Sequence, residues 1–161
     1  MPDLSMKPPG EYFTIYVDGA SQGNPGPAGV GVVIKDASGM TRREICRYIG
    51  ETTNNQAEYK AIIWGLREAA SLGANQVEVK MDSELVVKQL HGSYKVRNAS
   101  LRPLFCQATQ LLKGFNSATL EHIPRQQNAA ADALAKRAVR ERGKIESSGT
   151  TGLPSLSECG C

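Results

Sequence analysis

Hydrophobic and polar positions alternate in three stretches near the start of the chain and then switch to helical spacing. Tyr12-Phe13-Thr14-Ile15-Tyr16-Val17 is rich in β-branched and aromatic residues and reads as a strand that ends at the turn formers running from Asp18 to Pro27. Ala28 to Lys35 reads as a second strand, Asp36 to Gly39 as a hairpin turn, and Thr41 to Ile49 as a third strand. The short links imply an antiparallel meander. From Asn55 to Leu72 the apolar residues Ala57, Ala61, Ile62, Trp64, Leu66, Ala69 and Ala70 recur at helical intervals. Thr53 and Asn54 are N-cap candidates, and Gly73 is a stop. Gln76 to Met81 alternates again as a strand, with Asp82 at its C-terminal end. Ser83 to Leu90 and Leu101 to Lys113 read as helices, Ala118 to Ile123 as a fifth strand, and Asn128 to Arg142 as a closing helix. The order β-β-β-α-β-α-α-β-α predicts an α/β fold: a five-stranded mixed sheet, an antiparallel meander plus parallel strands, flanked by helices.

The 161 residues suit one domain with a sizeable core, and 40% hydrophobic with 22% charged residues excludes a chain disordered throughout. The expected organisation is an N-terminal arm over 1–10, a folded domain over 11–143, and a Ser-, Gly- and Thr-rich tail over 144–161. No apolar run approaches the roughly 18 residues of a membrane span, and Met1 to Glu11 lacks the apolar core of a secretory signal. The expectation is a cytoplasmic monomer with no membrane contact and no obligate protein partner. Cys46, Cys106, Cys159 and Cys161 match no zinc spacing. A bond from the tail to Cys46 or Cys106 would close a long loop and add about 2–4 kcal/mol. The net charge of +3 matters for its placement: Lys80, Lys88, Lys95, Arg97 and Arg102 face only Asp82 and Glu84 across residues 80–102. Such a patch suits either plain solvation or a polyanion partner.

Ligands in mixed sheets tend to sit beyond the carboxyl ends of strands, which points to Asp18 and Asp82. If the first and fourth strands are parallel neighbours, these two carboxylates meet. Glu58 near the start of the first long helix and Asp132 near the start of the last could join them. Taken singly, each has a plainer use: Asp18 in a turn, Asp82 as a cap, Glu58 and Asp132 at a helix dipole. Taken together, clustered carboxylates repel one another and are usually compensated by hard divalent cations. Two such ions form the arrangement used for phosphodiester cleavage.

Four segments resemble motifs of the type 1 ribonuclease H family, in family order over residues 12 to about 142. They are Tyr16 to Gly29, Thr52-Thr53-Asn54-Asn55-Gln56-Ala57-Glu58, Met81-Asp82-Ser83, and Asn128-Ala129-Ala130-Ala131-Asp132-Ala133-Leu134-Ala135. The resemblance implies the ribonuclease H-like fold and cleavage of the RNA strand of RNA–DNA hybrids, leaving 5′-phosphate and 3′-hydroxyl ends. It makes Asp18, Glu58, Asp82 and Asp132 the catalytic ligands of two Mg²⁺ ions, with Mn²⁺ a possible substitute. It also puts Glu58 at a 2′-hydroxyl, Asn24, Asn54 and Gln56 in the minor groove, and Thr53 and Asn98 at a DNA phosphate. Arg97 would add charge beside Asn98.

The chain departs from many family members in two places. They carry a flexible loop with a histidine before the last aspartate, associated with product release. Here His122-Ile123-Pro124-Arg125-Gln126-Gln127-Asn128 is short, like the archaeal and related bacterial branch, and Arg125 is the nearest substitute. His122 is expected to be a structural residue of the fifth strand. Some members also insert a basic protrusion that grips the DNA strand. Between Asp82 and Asn98 there is no room for it, so Lys88, Lys95, Arg97 and Tyr94 would have to serve, with weaker and more salt-sensitive binding expected. Trp64 shares a helix face with Ala57 and Ala61 and is assigned to the core. Two other readings remain on the sequence alone. One is a module of the same fold that binds hybrid or double-stranded RNA without cutting. The other is a nuclease of this fold acting on DNA ends or junctions.

Overall fold

The computed structural model describes residues 11–142. The expected arm over 1–10 and tail over 144–161, with Cys159 and Cys161, lie outside the described residues. Three antiparallel strands open the fold: β1 (Glu11–Ser21), β2 (Gly26–Asp36) and β3 (Thr41–Thr52). Then come α1 (Asn54–Ser71), β4 (Ala74–Met81), α2 (Glu84–His91), α3 (Arg102–Lys113) and β5 (Ser117–His122). A 3₁₀ turn over Arg125–Asn128 leads into α4 (Ala129–Arg140). The sheet order is β3-β2-β1-β4-β5, so β1 is the central strand. It pairs antiparallel with β2 and parallel with β4, as the expected meeting of Asp18 and Asp82 requires.

Most elements follow the sequence pattern, with two corrections. The first strand does not end at Val17. It runs on to Ser21, so Asp18 lies within the strand, opposite Gly31 of β2. The chain can stay extended through these turn-forming residues because β2 continues alongside, with Val30, Gly29 and Ala28 opposite Gly19, Ala20 and Ser21. The third strand likewise passes Ile49 and reaches Thr52, because a bulge opposite Ala28 and Gly29 absorbs one residue. Gly50 supplies the positive φ of +84° there, which costs glycine little.

Side-chain alternation assigns the two faces of the sheet. Phe13, Ile15, Val17, Val30, Val32 and Ile34 are fully buried on one face, against Ile62, Ile63 and Leu66 of α1. Trp64 packs at the edge of this core as expected, with the Arg47 guanidinium 4.9 Å from its ring centroid. On the other face α4 lies directly on the backbone of β2. A Cβ at Gly31 would strike the Ala131 carbonyl oxygen and sit 2.7 Å from the Ala135 nitrogen. At Gly29 it would sit 2.7 Å from the Ala135 oxygen. Cys46 is a free thiol, whereas Cys106 is disulfide-bonded. No helix among the described residues is long and apolar enough to cross a membrane.

The contact between α4 and β2 yields a first prediction. Gly31→Ala forces the helix backbone off the strand and should lower stability by about 1–3 kcal/mol. Chemical denaturation measures this, and an unchanged midpoint would refute the close approach.

Candidate active site

The geometry of β1 and β4 puts two carboxylates side by side. Asp18 sits on the central strand and is only 5% exposed. Asp82 follows the last residue of β4, the parallel neighbour. Glu58 is delivered by α1, whose start is fixed by a capping box: the Thr53 side chain accepts from the Gln56 amide, and the Gln56 side chain accepts from the Thr53 amide. The Gly19 amide then donates to Glu58 Oε1 at 3.1 Å and ties the helix residue to the strand. One oxygen from each of Asp18, Glu58 and Asp82 falls within 4.8 Å of the others. Asp132, in the first turn of α4, stands beside this trio. It hydrogen-bonds Asp18, and its Oδ2 lies 3.1 Å from Lys136 Nζ.

The plainer uses of these residues do not account for the arrangement. Asp18 is in no turn, and Ser83 caps α2 in place of Asp82, its hydroxyl accepting from the Val86 amide at 3.3 Å. Asp82 Oδ2 is buried without a hydrogen-bond partner. The Arg125 guanidinium comes no closer than an Nε at 4.0 Å, on a side chain that is 75% exposed. A buried, unpartnered carboxylate oxygen is costly unless something outside the chain satisfies it.

The electrostatics agree. Burial pushes the Asp18 carboxyl up to about 9, helped by the Glu58 charge, the Asp132 hydrogen bond and the Asp82 charge. Burial also pushes Glu58 up to about 8, although the Gly19 amide works against the rise. At Asp132 burial is outweighed by hydrogen bonds from Asp18 and Lys136 and by the charges of Lys136 and Arg125, so its pKa is lowered. A proton on Asp18 shared toward Asp132 is thus how the chain alone relieves the repulsion. An oxygen-only ligand set of this kind fits hard divalent cations.

The polar residues expected at nucleic acid form a connected corner next to the cluster. Asn24 Oδ1 accepts from the Asn54 amide at 2.9 Å, and Asn54 Oδ1 accepts from the Ser21 amide at 3.1 Å. Gln56 Oε1 accepts from the Thr53 amide and hydroxyl, both at 3.0 Å, and from the Thr52 hydroxyl. Asn98 lies apart, on the open segment between α2 and α3, where its Oδ1 accepts from the Ser100 amide at 2.8 Å. Lys95 and Arg97 stand exposed on the same segment. Lys88 is held by Glu84 at 3.0 Å and covers the Tyr94 ring at 5.0 Å. Arg125, on the short segment before α4, brings its Nε to 4.0 Å from Asp82 Oδ2. His122 belongs to β5 as expected, where it ends the strand opposite Met81 with its side chain exposed.

Three contributors escaped the sequence reading. The Gly19 amide acts through its backbone and leaves no side-chain signal. Lys136 was legible as the i+4 partner of Asp132. Asn128, only 1% exposed, donates its Nδ2 to the Val17 carbonyl at 2.8 Å and pins the start of α4 beside Asp18.

Comparison with known proteins places this arrangement. A family model described as "Reverse transcriptase-like" matches residues 16–138. Ribonuclease HI of Halobacterium salinarum is 46% identical over 124 residues, 77% of this chain and 62% of the relative's own length. A Mycobacterium tuberculosis relative named as a bifunctional protein is 45% identical, and this chain spans 35% of its length. The crystal structure of RNase H1 from Halobacterium salinarum superposes with a TM-score of 0.79 at 44% identity, covering 81% of this chain and 98% of that one. LC11-RNase H1 in complex with an RNA/DNA hybrid gives a TM-score of 0.77 at 43% identity, covering 82% and 99%. With four carboxylates on the expected elements of this fold, the chain belongs to the ribonuclease H family.

Proposed function

We propose that this chain is an endonuclease that hydrolyses the RNA strand of RNA–DNA hybrids, leaving 5′-phosphate and 3′-hydroxyl ends. The observation that carries this reading is the convergence of Asp18, Glu58 and Asp82 within 4.8 Å, with a buried Asp82 oxygen left unpartnered. Asp18, Glu58, Asp82 and Asp132 are the residues that would hold two divalent cations, Mg²⁺ in the first instance. Bound there, the ions would activate the attacking water and neutralise charge on the leaving 3′ oxygen.

The rest of the work falls to the chain itself. Asp18 is central: it hydrogen-bonds Asp132, and its oxygen lies within 4.8 Å of those of Glu58 and Asp82. The Gly19 amide holds Glu58 Oε1, and the carboxylate has a second oxygen to offer a 2′-hydroxyl, the group that separates RNA from DNA. Asn24, Asn54 and Gln56 are already held by hydrogen bonds, so a minor groove meets groups that need little further ordering. Arg125 stands exposed above Asp82, in place to meet a phosphate oxygen. The hybrid-bound LC11 structure supports the same substrate for this chain.

Cleavage of end-labelled hybrid tests the proposal. Metal-dependent cutting of the RNA strand is expected, with double-stranded DNA left intact. Asp82→Asn should cut at least about 100-fold more slowly, since even residues that only orient metal ligands cost about 10–100-fold. Hybrid binding should survive in the variant. Binding without cleavage by the unsubstituted chain in Mg²⁺ and Mn²⁺ would favour the non-catalytic module instead.

The raised pKa values give a second prediction. Asp18 and Glu58 bind protons more tightly folded than unfolded, so their contribution to stability is complete below pH about 4 and is lost as pH rises toward 8–9. Asp132 has the opposite sign, but its effect falls only at acid pH. In a chelator, the melting temperature should therefore fall between pH 5 and 9 by more than in Asp18→Asn. Millimolar Mg²⁺ should flatten the slope by replacing the protons. A slope unaffected by Mg²⁺ would place the cation elsewhere.

A further inference from the structure

A second feature lies beside the carboxylates, on the side of α4 away from the 3₁₀ turn. A pocket of about 340 Å³ opens between the end of β1 and the C-terminal half of α4. Ala20, Ser21 and Gln22 line one wall, and Lys136, Val139 and Arg140 line the other. Its floor is apolar at Ala20 and Val139, and its rim is basic. Nothing in the carboxylate chemistry accounts for this pocket.

The charges around it are not equivalent. Arg137 pairs with Glu141 at 3.3 Å, and Arg142 donates to the Val139 carbonyl at 2.8 Å. Lys136 is held by Asp132. Arg140 has no ion pair or hydrogen bond among the described residues, although it is exposed at the pocket mouth. Asp132, Lys136 and Arg140 are spaced four residues apart and form one row along α4. Each step is a little over one helical turn, a rise of about 6 Å, close to the step between successive phosphates of a nucleic-acid strand. A strand whose reacting phosphate lies at Asp132 would thus carry its next phosphates past Lys136 and toward Arg140.

We propose that this pocket is a subsite for the RNA strand, taking the nucleotide one or two positions from the cleaved bond. Arg140 donates to its phosphate, and its sugar or base rests over Ala20 and Val139. A guanidinium suits this role because its planar fork matches phosphate oxygens. An apolar floor under a cationic rim matches a nucleotide, which joins a flat face to an anion. The strand served is RNA because the row begins at the carboxylates that would hold the reacting phosphate. The inference rests on the ribonuclease reading above and adds a binding determinant to it.

The test is phosphate interference. A series of hybrids carries one uncharged methylphosphonate at successive RNA positions, and affinity for each is measured in Ca²⁺. The unsubstituted chain should lose about five-fold in affinity at one position near the cleaved bond. Arg140→Ala should bind the unmodified hybrid about five-fold more weakly and show no further loss at that same position. Its slope of log affinity against log salt should fall by about 1. Cleavage should show the change in KM with kcat held. Arg137→Ala removes the same charge three residues away on the same helix and should keep the full interference pattern. If Arg140→Ala retains that pattern as well, the subsite is refuted while hybrid cleavage stands. If the unsubstituted chain neither binds nor cuts hybrid, the ribonuclease reading fails and the subsite falls with it.

Discussion

How closely two helices can lie on the central strands determines what the rest of the molecule can do. Gly19 lets the α1 backbone reach β1, because a Cβ there would collide with the Ala57 carbonyl. Gly65 lets the middle of the same helix settle onto Ile15 and Val17, where a Cβ would lie 2.9 Å from Ile15 Cγ2. Gly31 does the same for α4 from the opposite side. Three absent side chains thus bring Glu58 and Asp132 to Asp18 from two sides of one strand. Ordinary packing distances of 8–10 Å between elements would leave the carboxylates out of mutual reach. Stability sits in the buried apolar face under α1, and the site stands on the scaffold's least forgiving contacts.

This close approach concentrates negative charge in a place water barely enters. The chain tolerates it by keeping a proton on Asp18, by the Gly19 amide at Glu58, and by Lys136 at Asp132. It leaves Asp82 Oδ2 without such relief. A site fully satisfied by its own residues would have little free energy left to gain from a cation. Here the compensation is incomplete, and the shortfall lies at the end of β4, beside Arg125. Structural consistency is relaxed where function needs an outside partner.

Most of the fold was legible because the periods of the sequence change cleanly. The helical interval from Ala57 to Ala70, and the alternation from Gln76 to Met81, each fixed an element to within two residues. The C-terminal ends of the first and third strands were not legible. Gly, Asn and Pro after Asp18 signal a turn locally, yet pairing with β2 holds the backbone extended to Ser21. That is tertiary context overriding propensity. The identities of the four carboxylates could be read from motif and element. Their inequality could not, since it depends on distances: three share one point, and Asp132 stands beside them. Backbone contributors such as the Gly19 amide and the Val17 carbonyl are invisible to any reading of side chains.

The absence of a basic protrusion also takes on a different meaning. The sequence suggested binding that is weaker and more sensitive to salt. The salt slope counts neutralised phosphates, so fewer phosphate contacts make binding weaker and less sensitive to salt. The structure reduces that count further, because Lys88 is already engaged by Glu84 and Tyr94. The groups that remain at the corner of β1 and α1 are neutral amides locked by Asn24, Asn54 and Gln56 hydrogen bonds. Amides of this kind respond to the width of a groove and to 2′-hydroxyls, which salt does not screen. On the proposed reading, recognition in this chain would therefore shift from charge toward shape, and the exposed cations Lys95, Arg97, Arg125 and Arg140 would serve to set the strand's register over the carboxylates.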